Sequence, residues 1–251
     1  MPNHVKTVIT IADLGGAKLQ DIHSAMLNDS GQVDFNVIVP MPDCLNDFNP
    51  NYGVISRARM ALGLLEEPSK DPTDPGAYAN NLAFSNAMRD ATTPVEIDQI
   101  GAVCQAIQNF KDCGHIYWYD WSVENWGTKW NAYGQPEDGY AAETTEFTME
   151  TAWSHPAQLI ALVSSKFPDA TFEVKFADED KGCNCGAYKL IAGKTQEENI
   201  APPYQDQTSE QSAEFTKFAF EVWYGDEDPK THGFDENWQY SEEVYEANNP
   251  Y

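Results

Sequence analysis

The sequence predicts an α+β fold, in which strands and helices alternate around a helical insertion. Three observations lead to this fold class. The residues before position 40 follow the order strand, helix, strand, the middle of the chain combines helical spacing with frequent prolines, and strand patterns return after residue 145. Of the 251 residues, 41% are hydrophobic and 12% aromatic, which is enough for a substantial core and excludes wholesale disorder.

The first group of elements lies before the insertion. Residues 5–11 place Val, Thr, Ile and Ile on alternate positions, which predicts a strand that ends at Asp13 and the following glycines. Between residues 17 and 27, apolar side chains recur every three or four positions, the spacing of a helix with one apolar face. Residues 33–39 predict a second strand, which Pro40 ends.

The middle of the chain predicts helices joined by loops. Residues 41–80 contain frequent prolines, which interrupt regular structure. Helices are predicted over residues 54–65, 80–89 and 95–110, the last of them following a threonine cap and a proline. Together they form the helical insertion, at about residues 50–135.

The second group of elements follows the insertion. Residues 146–153 alternate as a strand, and Ser154 with Pro156 then opens a helix through Val163. Two further strands are predicted over residues 171–176 and 188–191. A helix with an apolar face follows over residues 209–223. We therefore expect one domain over residues 1–224, with the insertion inside it, and a separate C-terminal tail over residues 225–251.

The charge of the chain restricts its partners. Against 40 Asp and Glu there are 15 Lys and Arg, a formal net charge of -25. Because attraction to nucleic acid depends on Lys and Arg displacing counterions, direct binding to nucleic acid through a broad surface is excluded. No apolar run approaches the roughly 20 residues of a membrane span, and the first residues lack a signal-peptide pattern. Five unevenly spaced cysteines indicate no disulfide framework, so we expect a cytoplasmic protein.

A tryptophan-rich run covers residues 117–133 and holds four of the seven tryptophans. These rings suit either a packed core or a platform on which a base or a sugar stacks. Stacking platforms normally accompany a basic groove, and Lys129 is the one basic residue in the run. The sequence therefore favours the core.

An acidic turn follows the strand at residues 171–176, with Asp178, Glu179 and Asp180 in a row. Three acids can bind a hard cation through oxygen, but their spacing does not match an EF-hand loop, so a solvated turn is favoured. Cys183 and Cys185 nearby can bind a soft metal, yet a structural zinc site needs four ligands. The sequence thus predicts neither a metal site nor a cofactor.

Familiar catalytic motifs are missing from the sequence. It contains no H-E-x-x-H, G-x-S-x-G, phosphate-binding P-loop or G-x-G-x-x-G pattern. The five histidines have no metal-binding spacing, and each is expected to be structural. We therefore expect a protein that is not an enzyme and name no catalytic residue.

The tail combines negative charge with aromatic side chains. It has eight acids and one lysine, and Trp238, Tyr240, Tyr245 and Tyr251 are interleaved with the acids. Aromatic anchors between acids suit a basic, partly apolar partner surface. Packing of the tail against its own domain explains the same pattern equally well.

Four segments of the chain read, in order, MPNHVKT, VDFNVIVPMPDCLN, WYDWSVENWGTKWNAY and FADEDKGCNCG. Together they resemble a phage- and plasmid-borne family of YubB type, and the resemblance extends over about residues 1–223. It implies a ferredoxin-like αβ sandwich, an antiparallel sheet with helices on one face, in a mobile-element protein of the bacterial cytoplasm. The family has no established activity, so it implies no functional residues. The cysteine pair and the acidic tail depart from the family pattern.

The leading functional hypothesis is a binding protein. It would inhibit a host nucleic-acid-handling or defence complex, for example a CRISPR effector, by presenting carboxylates in place of phosphates to a basic surface. The oligomeric state stays open. The residues expected to contact this partner are acidic, apart from one tryptophan: Asp178, Glu179, Asp180, Asp226, Glu227, Asp228, Asp235, Glu236, Trp238, Glu242 and Glu243.

Two alternatives stay open. In the first, the acidity is a solubility adaptation of an accessory protein, and the acids are then spread evenly over the surface. In the second, Asp178, Asp180 and a histidine form a metal-assisted hydrolase. Concentration of the acids on one face would favour the binding protein over the first alternative.

Overall fold

The computed structural model describes residues 3–64 and 94–249. The chain forms two compact units. We call residues 1–40 together with 123–251 the sheet unit, and residues 41–122 the helical unit. The helix predicted over residues 80–89 lies outside the described residues.

The sheet unit contains a five-stranded sheet, with strands β1 His4–Asp13, β2 Glu146–Ala152, β3 Thr171–Asp178, β4 Cys185–Ile191 and β5 Lys194–Ile200. Their order is β2-β1-β3-β4-β5, and every pair of neighbours is antiparallel. On β1, Ile9 lies opposite Phe147 of β2 and Val174 of β3. The predicted α+β fold with an antiparallel sheet is confirmed.

Nine α-helices occur among the described residues, with short 3-10 turns at Tyr204–Asp206 and Pro229–His232. Before β2 they are α1 Leu19–Ser24, α2 Phe35–Ile38, α3 Asp43–Asn46, α4 Tyr52–Ala61, α5 Pro94–Cys113 and α6 Trp118–Trp126. After β2 they are α7 Ala157–Lys166, α8 Ser209–Tyr224 and α9 Glu242–Asn248. None of the helices in the described part of the chain is long and apolar enough to cross a bilayer.

The main core lies on one face of the sheet. Ile9, Met149 and Phe172 point to this face from three strands, and each is almost completely buried. Leu159 and Val163, one turn apart on α7, pack against them. The apolar alternation of the strands and the helical spacing of α7 therefore meet in one layer, as the sequence predicts.

A second helix packs on the opposite face. Side chains alternate along a strand, so Ala177 of β3 points away from the main core. It forms a small buried cluster with Cys185 of β4 and with Phe215 and Ala219 of α8. The expectation that the helices lie on one face is therefore corrected. The apolar side of α8 packs on the opposite face, where the small side chains of Ala177 and Cys185 leave room for it.

The strand predicted over residues 33–39 is wrong. Val33 forms an isolated bridge with Leu27, and the chain then turns into the short helix α2. The Asp34 side chain accepts a hydrogen bond from the backbone N–H of Asn36 at 2.8 Å, which caps the start of this helix. Phe35 is fully buried, so the apolar run that predicted a strand forms a helical turn that packs into the core.

Strand β5 was not predicted. All seven of its residues are exposed, so the sequence KTQEENI carries no apolar alternation. The turn between β4 and β5 defines the strand instead, because Ala192 and Gly193 both have positive φ, 52° and 71°. Two such residues form the tight turn that suits a β-hairpin.

The helical unit has a core of its own. Val54, Ala58, Val103, Ala106 and Ile116 form its buried cluster. The helices predicted over residues 54–65 and 95–110 correspond to α4 and α5. An ion pair between Arg59 and Asp120, with 2.7 Å between nitrogen and oxygen, adds a charged contact within this unit.

Candidate functional site

The C-terminal tail folds back on α8. The ring of Phe220 is 1% exposed, and the rings of His232, Phe234 and Trp238 surround it, with centroids 5.2, 5.8 and 5.5 Å away. The His232 ring also stacks on Tyr224, 3.9 Å between centroids. The sequence left open whether the tail binds a partner or packs against its own domain. For residues 225–249, the structure shows packing against the tail's own unit.

Several acids of the tail hold its loops in shape. The Asp228 carboxylate accepts the backbone N–H of Lys230 at 3.0 Å and caps the second 3-10 turn. Asp235 accepts two backbone N–H groups, those of Asn237 and Gln239, each at 2.8 Å. The bond from Gln239 is the main cause that lowers the pKa of Asp235. These carboxylates are thus local structural groups as well as exposed charges.

Two other tail acids bind side chains. Glu227 lies 2.9 Å from Nε2 of His232, and Glu242 accepts the hydroxyl of Tyr240 at 3.0 Å. The bond to Glu242 raises the pKa of Tyr240, because it stabilises the neutral phenol. Asp226, Glu236 and Glu243 are exposed.

The acidic turn separates into a buried and an exposed part. Asp178 is 5% exposed, and its carboxylate accepts N–H groups from the side chains of Asn3 and Asn184 and from the backbone of Asp180, at 2.9 to 3.1 Å. It therefore fastens the start of the turn, and we leave it out of any contact surface. Glu179 and Asp180 are exposed.

Lys181, next to these acids, points back to α8. Its ammonium group donates to the hydroxyl of Tyr224 at 3.4 Å and lies 4.8 Å from the centre of that ring. The same group lies 5.9 Å from the Trp223 ring. The structure thus contains a cation already held by aromatic rings at the edge of the acidic turn.

The acidic turn and the tail meet at a cleft of about 640 Å3, which we call the tail cleft. Glu179, Asp180 and Trp238 all line it, although about 60 residues separate the acids from the tryptophan in the sequence. Two of its tyrosines are widely open to solvent, Tyr204 at 70% and Tyr240 at 59% exposure. The aromatic lining comprises Tyr204, Tyr224, Phe234, Trp238, Tyr240 and Tyr245.

Three of the residues expected to contact a partner therefore converge: Glu179, Asp180 and Trp238. Three others, Asp235, Glu236 and Glu243, line a second cleft of about 390 Å3 within the tail. Neither cleft is lined by Asp178, Asp226, Glu227, Asp228 or Glu242.

Sequence reasoning missed three aromatic residues of the tail cleft, Tyr204, Tyr224 and Phe234. Tyr224 follows Phe220 by four residues on α8, so the helical spacing carried a signal for the same face. Tyr204 lies in a short 3-10 turn after β5, and its sequence neighbourhood gives no comparable signal.

The cysteine pair has structural surroundings. Cys185 is buried between the sheet and α8, and burial raises the pKa of its thiol to about 12. Burial also raises the pKa of Cys183, whose sulfur lies 3.5 Å from the carbonyl oxygen of Asp180. Within residues 3–64 and 94–249, no three His, Cys, Asp or Glu side chains form a group that could hold a metal ion.

The tryptophan-rich run supplies buried rings to both units. Trp126 is 3% exposed, and its indole N–H donates to the carbonyl of Val39 at 2.9 Å within the sheet unit. Trp121 is 5% exposed. Trp130 is partly exposed beside Lys129, whose ammonium lies 4.6 Å from its ring centre. The two most buried rings therefore have the core role that the sequence favours.

Comparison with known proteins gives one likeness. A protein-family model described as "Ferredoxin-like domain in Api92-like protein" matches residues 129–220, somewhat more than a third of the chain. The matched segment contains strands β2 to β5, α7 and most of α8. No curated protein and no solved structure matches the chain. The likeness supports a ferredoxin-like domain in this segment, and its description names no activity.

Proposed function

We propose that this protein is a non-enzymatic binding protein that engages a basic surface of another protein through the tail cleft. Its expected partner is a nucleic-acid-handling or defence complex in a bacterial cytoplasm, which it would inhibit. The single observation that carries the proposal is the convergence of Glu179 and Asp180 with the exposed aromatic rings of the tail.

The chemistry of the cleft selects the class of partner. Carboxylates attract Lys and Arg, and aromatic faces accept the same cations with favourable electrostatics. Lys181 over Tyr224 shows such a contact within the chain itself. A nucleic-acid-binding groove on a partner carries many Lys and Arg, so an acidic aromatic surface is complementary to it.

The distribution of charge also supports this proposal over an evenly acidic surface. Residues 225–251 hold eight acids against one lysine. Residues 171–200, which form β3 to β5, hold six acids against four lysines. The tail therefore has a net charge of -7 in 27 residues, against -2 in the 30 residues of the sheet segment, so acids are enriched in the tail, although most of the net charge of -25 lies outside it.

The proposal is tested with a fluorescent nona-arginine peptide and anisotropy titrations at increasing salt. We expect the double variant Glu179→Lys, Asp180→Lys to bind about tenfold more weakly than the wild type. The matched control Glu137→Lys, Asp138→Lys makes the same charge change at exposed residues that do not line the cleft, and it should lose less than about threefold.

The aromatic part of the cleft has its own control. Tyr204→Ala should weaken binding several-fold, whereas Tyr52→Ala, at an 83% exposed tyrosine in the helical unit, should not. A pull-down from bacterial lysate with the same variants then identifies the partner. Equal losses in the cleft and control variants, or binding that is indifferent to salt, would contradict the proposal.

A further inference from the structure

A second cavity lies on the main-core side of the sheet, between α7 and the β4–β5 hairpin. Its volume is about 400 Å3, the size of a small-molecule pocket. It shares no lining residue with the tail cleft, so it is independent of the proposed function. Its walls combine the polar rings of His155 and Tyr188 with small and apolar side chains, among them Ala157, Ala161, Phe176, Leu190 and Ile200.

The two rings each carry a buried polar atom that the fold does not satisfy. Nε2 of His155 and the hydroxyl of Tyr188 have no hydrogen-bond partner among the residues that the structure describes. A buried polar group without a partner costs about 1–3 kcal/mol, so native proteins rarely keep one without a reason. Here the two side chains that carry these atoms, His155 and Tyr188, both line one cavity.

Packing holds the His155 ring in place. It stacks on Phe176 with 3.7 Å between ring centroids and an angle of 8°. The Tyr188 ring is tilted by 54° relative to it, with 5.6 Å between centroids, so these two rings do not stack on each other. The stack on Phe176 therefore fixes the orientation of the His155 imidazole.

Both polar groups are neutral near pH 7. Burial lowers the pKa of His155 to about 4 and raises the pKa of Tyr188. A neutral imidazole and a phenol can each donate or accept a hydrogen bond. Glu198 also lines the cavity and disfavours an anion. The lining is therefore suited to an uncharged molecule.

We propose that this cavity binds a small, uncharged, planar ring compound with a hydrogen-bond donor and an acceptor on neighbouring atoms. Its polar edge contacts Nε2 of His155 and the hydroxyl of Tyr188, and its faces lie against the apolar walls. Ala157 and Ala161 matter because larger side chains on this face of α7 would fill the space that the ring occupies.

The probe for this proposal is 2-pyridone, a neutral ring with adjacent N–H and C=O groups. Its control is N-methyl-2-pyridone, which has the same ring but no donor. With 15N-labelled histidine, we expect 2-pyridone to shift the Nε2 resonance of His155 and to bind about tenfold more tightly than its control. Equal binding of the two compounds, or no His155 shift at saturating probe, overturns the proposal.

Variants separate the site from an ordered water. Tyr188→Phe removes the unsatisfied hydroxyl, so it should keep or raise the stability of the free protein and bind 2-pyridone about tenfold more weakly. The matched variant Tyr140→Phe loses a hydroxyl that is hydrogen-bonded to Thr148, so it should lower stability and leave binding unchanged. A less stable Tyr188→Phe that binds the probe like the wild type indicates an ordered water only and overturns the proposal.

A third variant leaves both polar atoms intact. Ala161→Leu adds volume to the wall of the cavity and keeps a good helix former on α7. We expect loss of 2-pyridone binding with an unchanged circular dichroism spectrum. Full binding by this variant contradicts the proposed location.

Discussion

The indole ring of Trp238 lies 5.5 Å from the phenyl ring of Phe220, and this contact joins the acidic tail to the helix that packs on the sheet. Phe220 is almost completely buried, whereas Trp238 is partly exposed and also lines the tail cleft. Trp238 has a φ of 60°, a left-handed conformation that is uncommon for a large side chain. One residue thus both fastens the tail and forms part of the candidate site.

Replacing Trp238 with alanine should release the tail without unfolding the sheet. The variant loses the ring contacts with Phe220 and Phe234, which we expect to cost about 2–3 kcal/mol locally. Limited proteolysis should then cut residues 225–249 at least about tenfold faster than in the wild type. Tyr204→Ala, at an exposed tyrosine of the same cleft, is the control and should leave the cleavage rate unchanged. Equal cleavage of the wild type and Trp238→Ala would show that other contacts hold the tail.

Asp178 and Asp180 should differ sharply in their effect on stability. Asp178→Ala leaves the N–H groups of Asn3, Asn184 and Asp180 without their acceptor, which should lower the free energy of unfolding by about 2–4 kcal/mol. Asp180→Ala removes an exposed carboxylate and should cost less than about 0.5 kcal/mol. Urea unfolding of both variants checks this, and similar values for the two would argue against the structural role of Asp178.

His155 should make the stability of the sheet unit fall in mild acid. Burial lowers its pKa in the folded protein to about 4 from the ordinary value of 6.5, so below pH 6.5 the unfolded chain binds a proton that the folded chain does not. The stabilisation is complete above about pH 6.5 and is lost as the pH falls towards 4. Between about pH 7.5 and 5, the wild type should lose about 2 kcal/mol relative to His155→Phe, which keeps a ring on Phe176.

The measurement is urea unfolding of both proteins at the two pH values. Contributions of the many carboxylates are common to both proteins and cancel in the difference. Parallel pH profiles for the wild type and the variant would mean that His155 is accessible to protons in the folded state.

Cysteine reactivity should follow burial. Cys185 is buried with a pKa of about 12, so near pH 8 its reactive thiolate is scarce, whereas Cys104 is exposed. Iodoacetamide should alkylate Cys104 at least about a hundredfold faster than Cys185, as measured by peptide mass spectrometry. Urea should abolish the difference. Rapid alkylation of Cys185 in the folded protein would place it outside the cluster with Phe215 and Ala219.

Elements that bury one face could be predicted from the sequence. Strand β1 and helices α7 and α8 show apolar alternation or helical spacing, because each places its apolar side against the sheet or forms it. Strand β5 carries no such pattern, since water surrounds its side chains and pairing with β4 alone defines it. The strand prediction over residues 33–39 was wrong for the opposite reason. There the sequence has an apolar run, but Asp34 caps a helical turn inside it.

The sequence predicted which types of residue form the candidate site, but it did not predict that they lie together. The acids of the turn and the aromatic residues of the tail are visible in the sequence. These groups come together because α8 packs on the sheet and the tail packs on Phe220 of α8. Local sequence patterns do not encode such contacts between distant segments. The inward bonding of Asp178 likewise depends on Asn3, which lies 175 positions away.

The position of β1 between β2 and β3 also bears on how the chain folds as it is synthesised. His4 pairs with Ala152, and Val5 with Asp178, so both flanking strands are made long after β1 itself. At typical translation rates of about 5–20 residues per second, the apolar strand waits roughly ten to thirty seconds for its neighbours. Such non-local pairing slows folding, and the apolar side chains of β1 stay without their neighbours until residues 146–178 have been made.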